Sequence, residues 1–259
     1  MNHRIELEGA IEAARLAGVY LNAARQGEIR VLSAVGRNIK LQADRESESI
    51  ILDALRAVAP HPVLAEESGE HDAPGEGAYW VVDPLDGSAN FARGVPLCCV
   101  AIALMHGEKP LLGVVHDFNR DETLCGVVGE GAWLGGAKGA PIAVASTTDT
   151  GQAILATGFP VGRDLSDAAL AEFYRQARAF KKVRMIGTAA LALAYVARGW
   201  VDAYGEDGIM LWDVAAGVAL VEAAGGSVRM APSPRGRWKY DVRCAARESL
   251  WPESVSAGG

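Results

Sequence analysis

Residues 80–91 read WVVDPLDGSANF. The apolar run Tyr79–Val82 leads into Asp83, Pro84, Leu85, Asp86 and Gly87. A strand ending in two close carboxylates can do one of two things. It can simply turn, since proline, aspartate and glycine all suit a β-turn. Or it can hold a hard cation, because an uncompensated charge directly after a buried strand is costly. Gly87 and Ser88 then open a short helix, whose first backbone N–H groups are free for an anion.

Other acidic spots lie far apart in the chain. VLAEES ends an apolar run with Glu66 and Glu67, a pair that a solvated face also explains. In IMLWDVAAG, Asp213 stands at the start of a helical pattern, where capping is the competing explanation. YGEDG places Glu206 and Asp207 at a strand end, a common turn composition. Taken together, carboxylates at strand ends and helix starts suit magnesium. It takes oxygen ligands and commonly binds together with substrate phosphate. Such ions polarise a phosphoryl group and lower the pKa of a bound water. The helix starts at Ser88, Thr188 and Asp213 could receive the phosphate.

These residues need a scaffold, and the pattern supplies one. Residues 5–26 read as a helix, with Leu7, Ile11, Ala14, Ala17, Leu21 and Ala24 mostly on one side. VLSAVGRNIKLQ reads as a mobile loop carrying Arg37 and Lys40, either of which could reach the substrate. A second helix is expected from Asp44, ended by Pro60 and Pro62. Residues 97–105, 111–118 and 122–128 are strand-like runs joined by short polar turns, which predicts an antiparallel meander. A glycine-rich hairpin over 129–139 follows. The second half mixes strands (153–159, 183–187, 201–206, 226–230) with helices (166–180, 188–199, 212–226). Thr188 is the expected N-cap of the middle helix, and Gly199 its stop. The small, polar stretch 140–152 is the expected boundary between lobes of residues 1–145 and 146–259.

Composition narrows the class. The chain has 259 residues, is 50% hydrophobic and carries a net charge of −7, so a large core is available. That acidic balance disfavours a general binder of nucleic acid or of anionic membrane. Cys98, Cys99, Cys125 and Cys244 form no CxxC pair and read as reduced core thiols of a cytoplasmic protein. The five histidines lack metal-ligand spacing. The N-terminal segment is a charged amphipathic helix rather than a signal peptide, and no apolar run is long enough to span a bilayer.

LAEES, WVVDPLDGSANF and LWDVAAGVALVEAAGG, in this order, together with IGTAALALAYVARGWVDAYGE, resemble the inositol monophosphatase family over about residues 5–230. The resemblance implies a layered α/β (α+β) fold, αβαβα, that is often homodimeric. It implies a magnesium-dependent, lithium-sensitive phosphomonoesterase using two to three Mg2+ ions and a small phosphorylated metabolite. Carried over, Glu67, Asp83 and the Leu85 carbonyl hold a first metal; Asp83, Asp86 and Asp213 hold a second. Glu67 and Ser88 activate the attacking water, and Asp44 lies by a third, weaker metal site. The Gly87 and Ser88 N–H groups bind phosphate. Glu206 contacts substrate hydroxyls, and Gly187, Thr188 and Ala189 line the leaving-group pocket.

Three departures bear on the substrate. Leu41-Gln42 stands where the family often has Val-Thr. Gly205 replaces an aromatic residue before Glu206, which predicts a more open pocket. Ala89-Asn90-Phe91 differs from the Lys-Glu-Phe of the nucleotide 3′-phosphatase branch and points to inositol or sugar phosphates. Histidinol phosphate, fructose 1,6-bisphosphate and 3′-phosphoadenosine nucleotides stay open as substrates. An inactive binding homologue is the non-enzyme alternative. In the C-terminal tail, Trp251 is the expected anchor.

Overall fold

The computed structural model describes residues 3–27, 29–35, 38–71, 77–158 and 166–251. Arg37, the Lys40 side chain and the tail beyond Trp251 lie outside the described parts.

The chain opens with helix α1 (Arg4–Ala24), the hairpin β1 (Val31–Val35) and β2 (Asn38–Leu41), and helix α2 (Gln42–Val58). Then come β3 (Val63–Ala65), β4 (Gly69–His71), β5 (Ala78–Asp86) and the short helix α3 (Ser88–Ala92). The meander follows as β6 (Cys99–His106), β7 (Lys109–Asp117), β8 (Glu122–Val127), β9 (Gly131–Leu134) and β10 (Ala140–Ile142). The second half holds β11 (Ile154–Ala156), α4 (Asp167–Ala179), β12 (Lys182–Arg184), α5 (Ala189–Ala197), β13 (Ala203–Met210) and α6 (Leu211–Ala223). It closes with β14 (Ser227–Pro232), β15 (Lys239–Ala245) and a 3-10 turn at Glu248–Leu250.

An eight-stranded sheet runs β10-β9-β8-β7-β6-β5-β3-β4, and a five-stranded sheet runs β12-β11-β13-β15-β14. The predicted meander is present: β6 to β10 pair consecutively and antiparallel. Helices α1 and α2 cover one face of the large sheet, with Leu7, Ile11, Ala14, Ala17 and Leu21 buried there beside Trp80, Val82 and Ile102. Helices α5 and α6 fill the space between the two sheets; their alanines and leucines pack on Val81, Ala103 and Val115 on one side and Tyr204 and Val242 on the other. Phe180, just after α4, packs with Leu155, Leu250 and Trp251 on the far side of the small sheet. The result is the expected αβαβα sandwich.

Two small residues set the middle spacing. A Cβ at Gly113 of β7 would lie 2.1 Å from the Ala216 carbonyl oxygen of α6, so glycine lets the helix backbone touch the sheet. The all-apolar α5 and the apolar run Val214–Val221 of α6 follow from burial on both sides. Among the described residues no helix is long and apolar enough to cross a membrane. All four cysteines are free and buried, as expected.

Several elements depart from the sequence expectation. The stretch read as a mobile loop forms the β1–β2 hairpin. Helix α2 starts two residues before Asp44, and the Asp44 carboxylate turns back to accept the Leu41 N–H at 2.6 Å. β15, not foreseen, pairs with both β13 and β14. Trp251 is the anchor that was expected: its ring lies 5.5 Å from that of Phe180, and its indole N–H donates to the Cys244 carbonyl.

Candidate active site

The site grows from the end of β5. Its neighbours are β3, parallel, and β6, antiparallel. Asp83 pairs with Ala101 but Asp86 with Cys99, so β5 spends three steps where β6 spends two. In a regular strand residues three apart face opposite sides. The extra residue is a bulge, and it returns Asp83 and Asp86 to one side. Pro84 sits inside it, where the lost N–H costs no ladder bond. The strand therefore ends in two carboxylates aimed into one region, which a plain β-turn would not require.

Asp83 is buried, and its Oδ1 accepts the Leu85 N–H at 3.0 Å. Burial, then Glu66, Asp86 and Asp213, push its carboxyl well above the usual carboxylate range. Glu66 is hydrogen-bonded to Asp83 and is pushed up to about 8 by burial and by Asp44 and Glu67. Asp213, on the third residue of α6, is raised by burial and then by Glu66, Asp86 and Glu206. Asp86 rises only to about 6: burial raises it, while Thr188 and the Ala190 and Ala189 N–H groups stabilise its charge.

Asp44 and Ser88 form a second group. Ser88 Oγ lies 3.1 Å from Asp44 Oδ1 and 3.0 Å from the Leu85 carbonyl oxygen, with one proton to give. Gly87 precedes α3 at φ 93°, a left-handed backbone that favours glycine. Asn90 reaches from α3 to the Ile186 carbonyl at 2.8 Å, beside Gly187. Glu206 is buried on β13, its Oε2 accepting the Tyr204 hydroxyl proton at 2.6 Å. Asp207 points elsewhere, into an ion pair with Arg243 at 2.6 Å.

Asp83, Asp86, Asp213, Asp44, Ser88 and Glu206 thus gather around the end of β5. Glu67 takes a different place. Its carboxylate lies 3.8 Å from Arg45 and its N–H donates to Glu48. It acts on Glu66, whereas the glutamate acting on Asp83 and Asp213 is Glu66. Both residues lie in the turn after β3, and Glu66 is the one hydrogen-bonded to Asp83. The Glu67 carboxylate is buried beside this turn, and Glu66 is the glutamate placed against Asp83. Thr188 is the N-cap that was expected. It caps α5, accepting from the Leu191 N–H, but the helix start is filled by the Asp86 carboxylate rather than left open for phosphate. Gly205 does not open a pocket either. A Cβ there would lie 2.7 Å from the Trp251 ring, so Trp251 already fills that side.

Among the described residues no three His, Cys, Asp or Glu side chains already enclose one point as a finished metal shell. The donor chemistry nonetheless fits hard divalent cations: every donor is oxygen, and the carboxylates hold each other in an unfavourable charge state that positive charge would relieve.

The molecule is a layered α+β sandwich with an all-oxygen acidic site at the end of β5. The inositol monophosphatase family profile matches residues 6–251, and the chain belongs to that family. It is 37% identical over 226 residues to the Inositol-1-monophosphatase of Synechocystis, covering 86% of this chain and 77% of that protein. It is 38% identical over 228 residues to the Nus factor SuhB of Pseudomonas aeruginosa, covering 85% and 83%. Among solved structures, an inositol monophosphatase from Anabaena superposes with a TM-score of 0.82 at 34% identity, covering 99% of this chain and 95% of that one. The extragenic suppressor protein suhB of Bartonella henselae gives 0.85 at 30% identity, covering 97% and 98%. The family is generally metal-dependent.

Proposed function

We propose that this chain is a Mg2+-dependent, lithium-sensitive phosphatase of a small polyol or sugar phosphate monoester. The observation that carries the reading is the set of buried Asp83 and Asp86 with half-buried Glu66 and Asp213, whose burial and mutual repulsion call for cations. Asp83, Asp86, Asp213, Glu66 and the Leu85 carbonyl would hold two ions, with Asp44 near a third. When bound, such ions polarise the phosphoryl group, lower the pKa of a bound water and neutralise the leaving oxygen.

The chain's own groups do the rest. Ser88 would accept a hydrogen bond from the attacking water and orient it, Asp44 would accept the Ser88 hydroxyl proton in a hydrogen bond, and Glu66 would take the one proton the water loses. The Gly87 and Ser88 N–H groups bind phosphate oxygens. Glu206, held by Tyr204, accepts hydrogen bonds from substrate hydroxyls. A buried carboxylate there repels a second anionic group, which favours a polyol monophosphate over a bisphosphate.

Phosphate release should be measured with Mg2+, with and without Li+. The substrates are inositol phosphates, hexose phosphates, fructose 1,6-bisphosphate, histidinol phosphate and 3′-phosphoadenosine 5′-phosphate. One lithium-sensitive polyol or sugar monophosphate ahead of the rest supports the reading. No release from any of them, or equal rates with Asp83→Asn, overturns it.

The relatives named Nus factor SuhB favour a second reading, in which the chain also joins a transcription complex. The net charge of −7 favours protein over direct RNA contact in that role. Binding of the purified chain to RNA polymerase, unchanged by Asp83→Asn, supports it; no binding removes it.

A further inference from the structure

The turn that carries Glu66 follows β3 of the large sheet, and the helix that carries Asp213 follows β13 of the small sheet, yet the two carboxylates share one site. One contact between the sheets links the segments next to them. β4 follows the Glu66 turn directly, and its Glu70 reaches across to the β14–β15 turn. Glu70 Oε1 accepts the Trp238 indole N–H at 3.2 Å and pairs with Arg237 Nη2 at 2.5 Å. The Arg237 guanidinium lies 5.0 Å from the centre of the Trp238 ring. Trp238 itself has φ 61°, a left-handed backbone that residues with a Cβ rarely adopt. In that conformation its carbonyl accepts the Leu211 N–H at 2.8 Å. Leu211 is the first residue of α6, two before Asp213.

One residue thus touches both sides. Its side chain holds the strand after Glu66, and its backbone holds the start of the helix bearing Asp213. A turn that needed only to reverse direction would be better served by glycine or asparagine at this φ. Tryptophan there makes sense if the indole has a partner to hold, and Glu70 is that partner.

We propose that Glu70 and Trp238 form a clasp between the two sheets that positions Glu66 against Asp213 and so raises the affinity of the site for Mg2+. Both are positioning residues, and the proposal rests on the reading of the acidic cluster as a divalent-cation site. The contacts are partly exposed, so the effect is modest.

The test is calorimetric titration of the full chain with Mg2+ alone, together with thermal unfolding in EDTA. Trp238→Phe keeps a ring but removes the N–H; Glu70→Ala removes the acceptor. Each is expected to weaken Mg2+ binding by about two- to fivefold. The double variant should be no weaker than the worse single one, since both changes break the same contact. Melting temperatures in EDTA should stay within about 2 °C of wild type. Unchanged Mg2+ binding in both single variants, or losses that multiply in the double variant, overturn the clasp. Loss of thermal stability with Mg2+ binding unchanged marks a structural contact only and also overturns it. A wild-type chain that binds no Mg2+ overturns the cation site itself, a failure distinct from the others.

Discussion

Thr188 Oγ1 lies 2.5 Å from Asp86 Oδ2, and the same oxygen accepts the Ala190 N–H at 2.7 Å. The carboxylate at the end of the first sheet is therefore also the anion at the start of α5. Its charge is favoured there by the helix dipole and by direct hydrogen bonds. This explains why Asp86 rises less than Asp83 or Asp213.

Thr188→Ala removes both the cap and the bond to Asp86. It should destabilise the protein by about 1–2 kcal/mol, the usual loss of a helix cap. Thr188→Ser, which keeps the hydroxyl, should recover most of that. Urea unfolding of the two variants checks it. Equal stability of Thr188→Ala and wild type would mean that the backbone N–H groups alone hold Asp86.

Glu66 and Glu67 can be told apart by exchange. Glu66→Gln should reduce Mg2+ affinity by at least tenfold, because it removes a charge that acts directly on Asp83 and Asp213. Glu67→Gln faces Arg45 and should change that affinity less than threefold. Titration calorimetry with Mg2+ decides; the reverse order would restore Glu67 as the ligand.

The metal-free protein should lose stability as pH rises. Glu66 titrates near 8 and Asp86 near 6 in the fold, both above the unfolded range near 4. Between those values the folded state binds more protons than the unfolded one, so stability falls with increasing pH. In EDTA, melting temperature should drop from pH 5 to pH 8.5, by roughly 2–8 °C more than in Glu66→Gln. Saturating Mg2+ should remove the difference between the two pH values for wild type. Parallel profiles for wild type and Glu66→Gln in EDTA would refute the proton-bearing cluster.

The sequence made the meander, α1, the capped α5 and the Asp83–Asp86 pair legible, because each has a local signature: alternation, helical spacing, a threonine before an apolar helix, a proline between aspartates. Two features had no such signature, and a third had one masked. In β3 all of Val63, Leu64 and Ala65 are buried, so no alternation told which of Glu66 and Glu67 would face inward. β15 was hidden by its charges, although Tyr240, Val242 and Cys244 alternate toward the core between Asp241 and Arg243. The filling of the α5 start by Asp86 joins residues 102 apart in the chain, a contact that no local pattern encodes.

The side of β13 away from Glu206 offers the last prediction. A missing side chain at Gly205 invites the reading of an open substrate pocket, but neighbouring strand residues face opposite ways. Gly205 faces Trp251, which is buried and lies under the Arg243 guanidinium at 5.4 Å from its ring centre. A Cβ would meet Trp251 at 2.7 Å and Arg243 Cδ at 3.0 Å. Gly205→Ala should therefore destabilise by about 1–3 kcal/mol, as overpacking does. Its substrate KM should stay within about twofold of wild type, because Glu206 and Tyr204 are untouched on the other face. Trp251→Leu alone should also destabilise by leaving a cavity. Combined, the two changes should cost less than their sum, since the smaller residue makes room for the added methyl. Urea unfolding of the four proteins measures that coupling. Strict additivity, or a change of KM without loss of stability in Gly205→Ala, would return Gly205 to the substrate pocket.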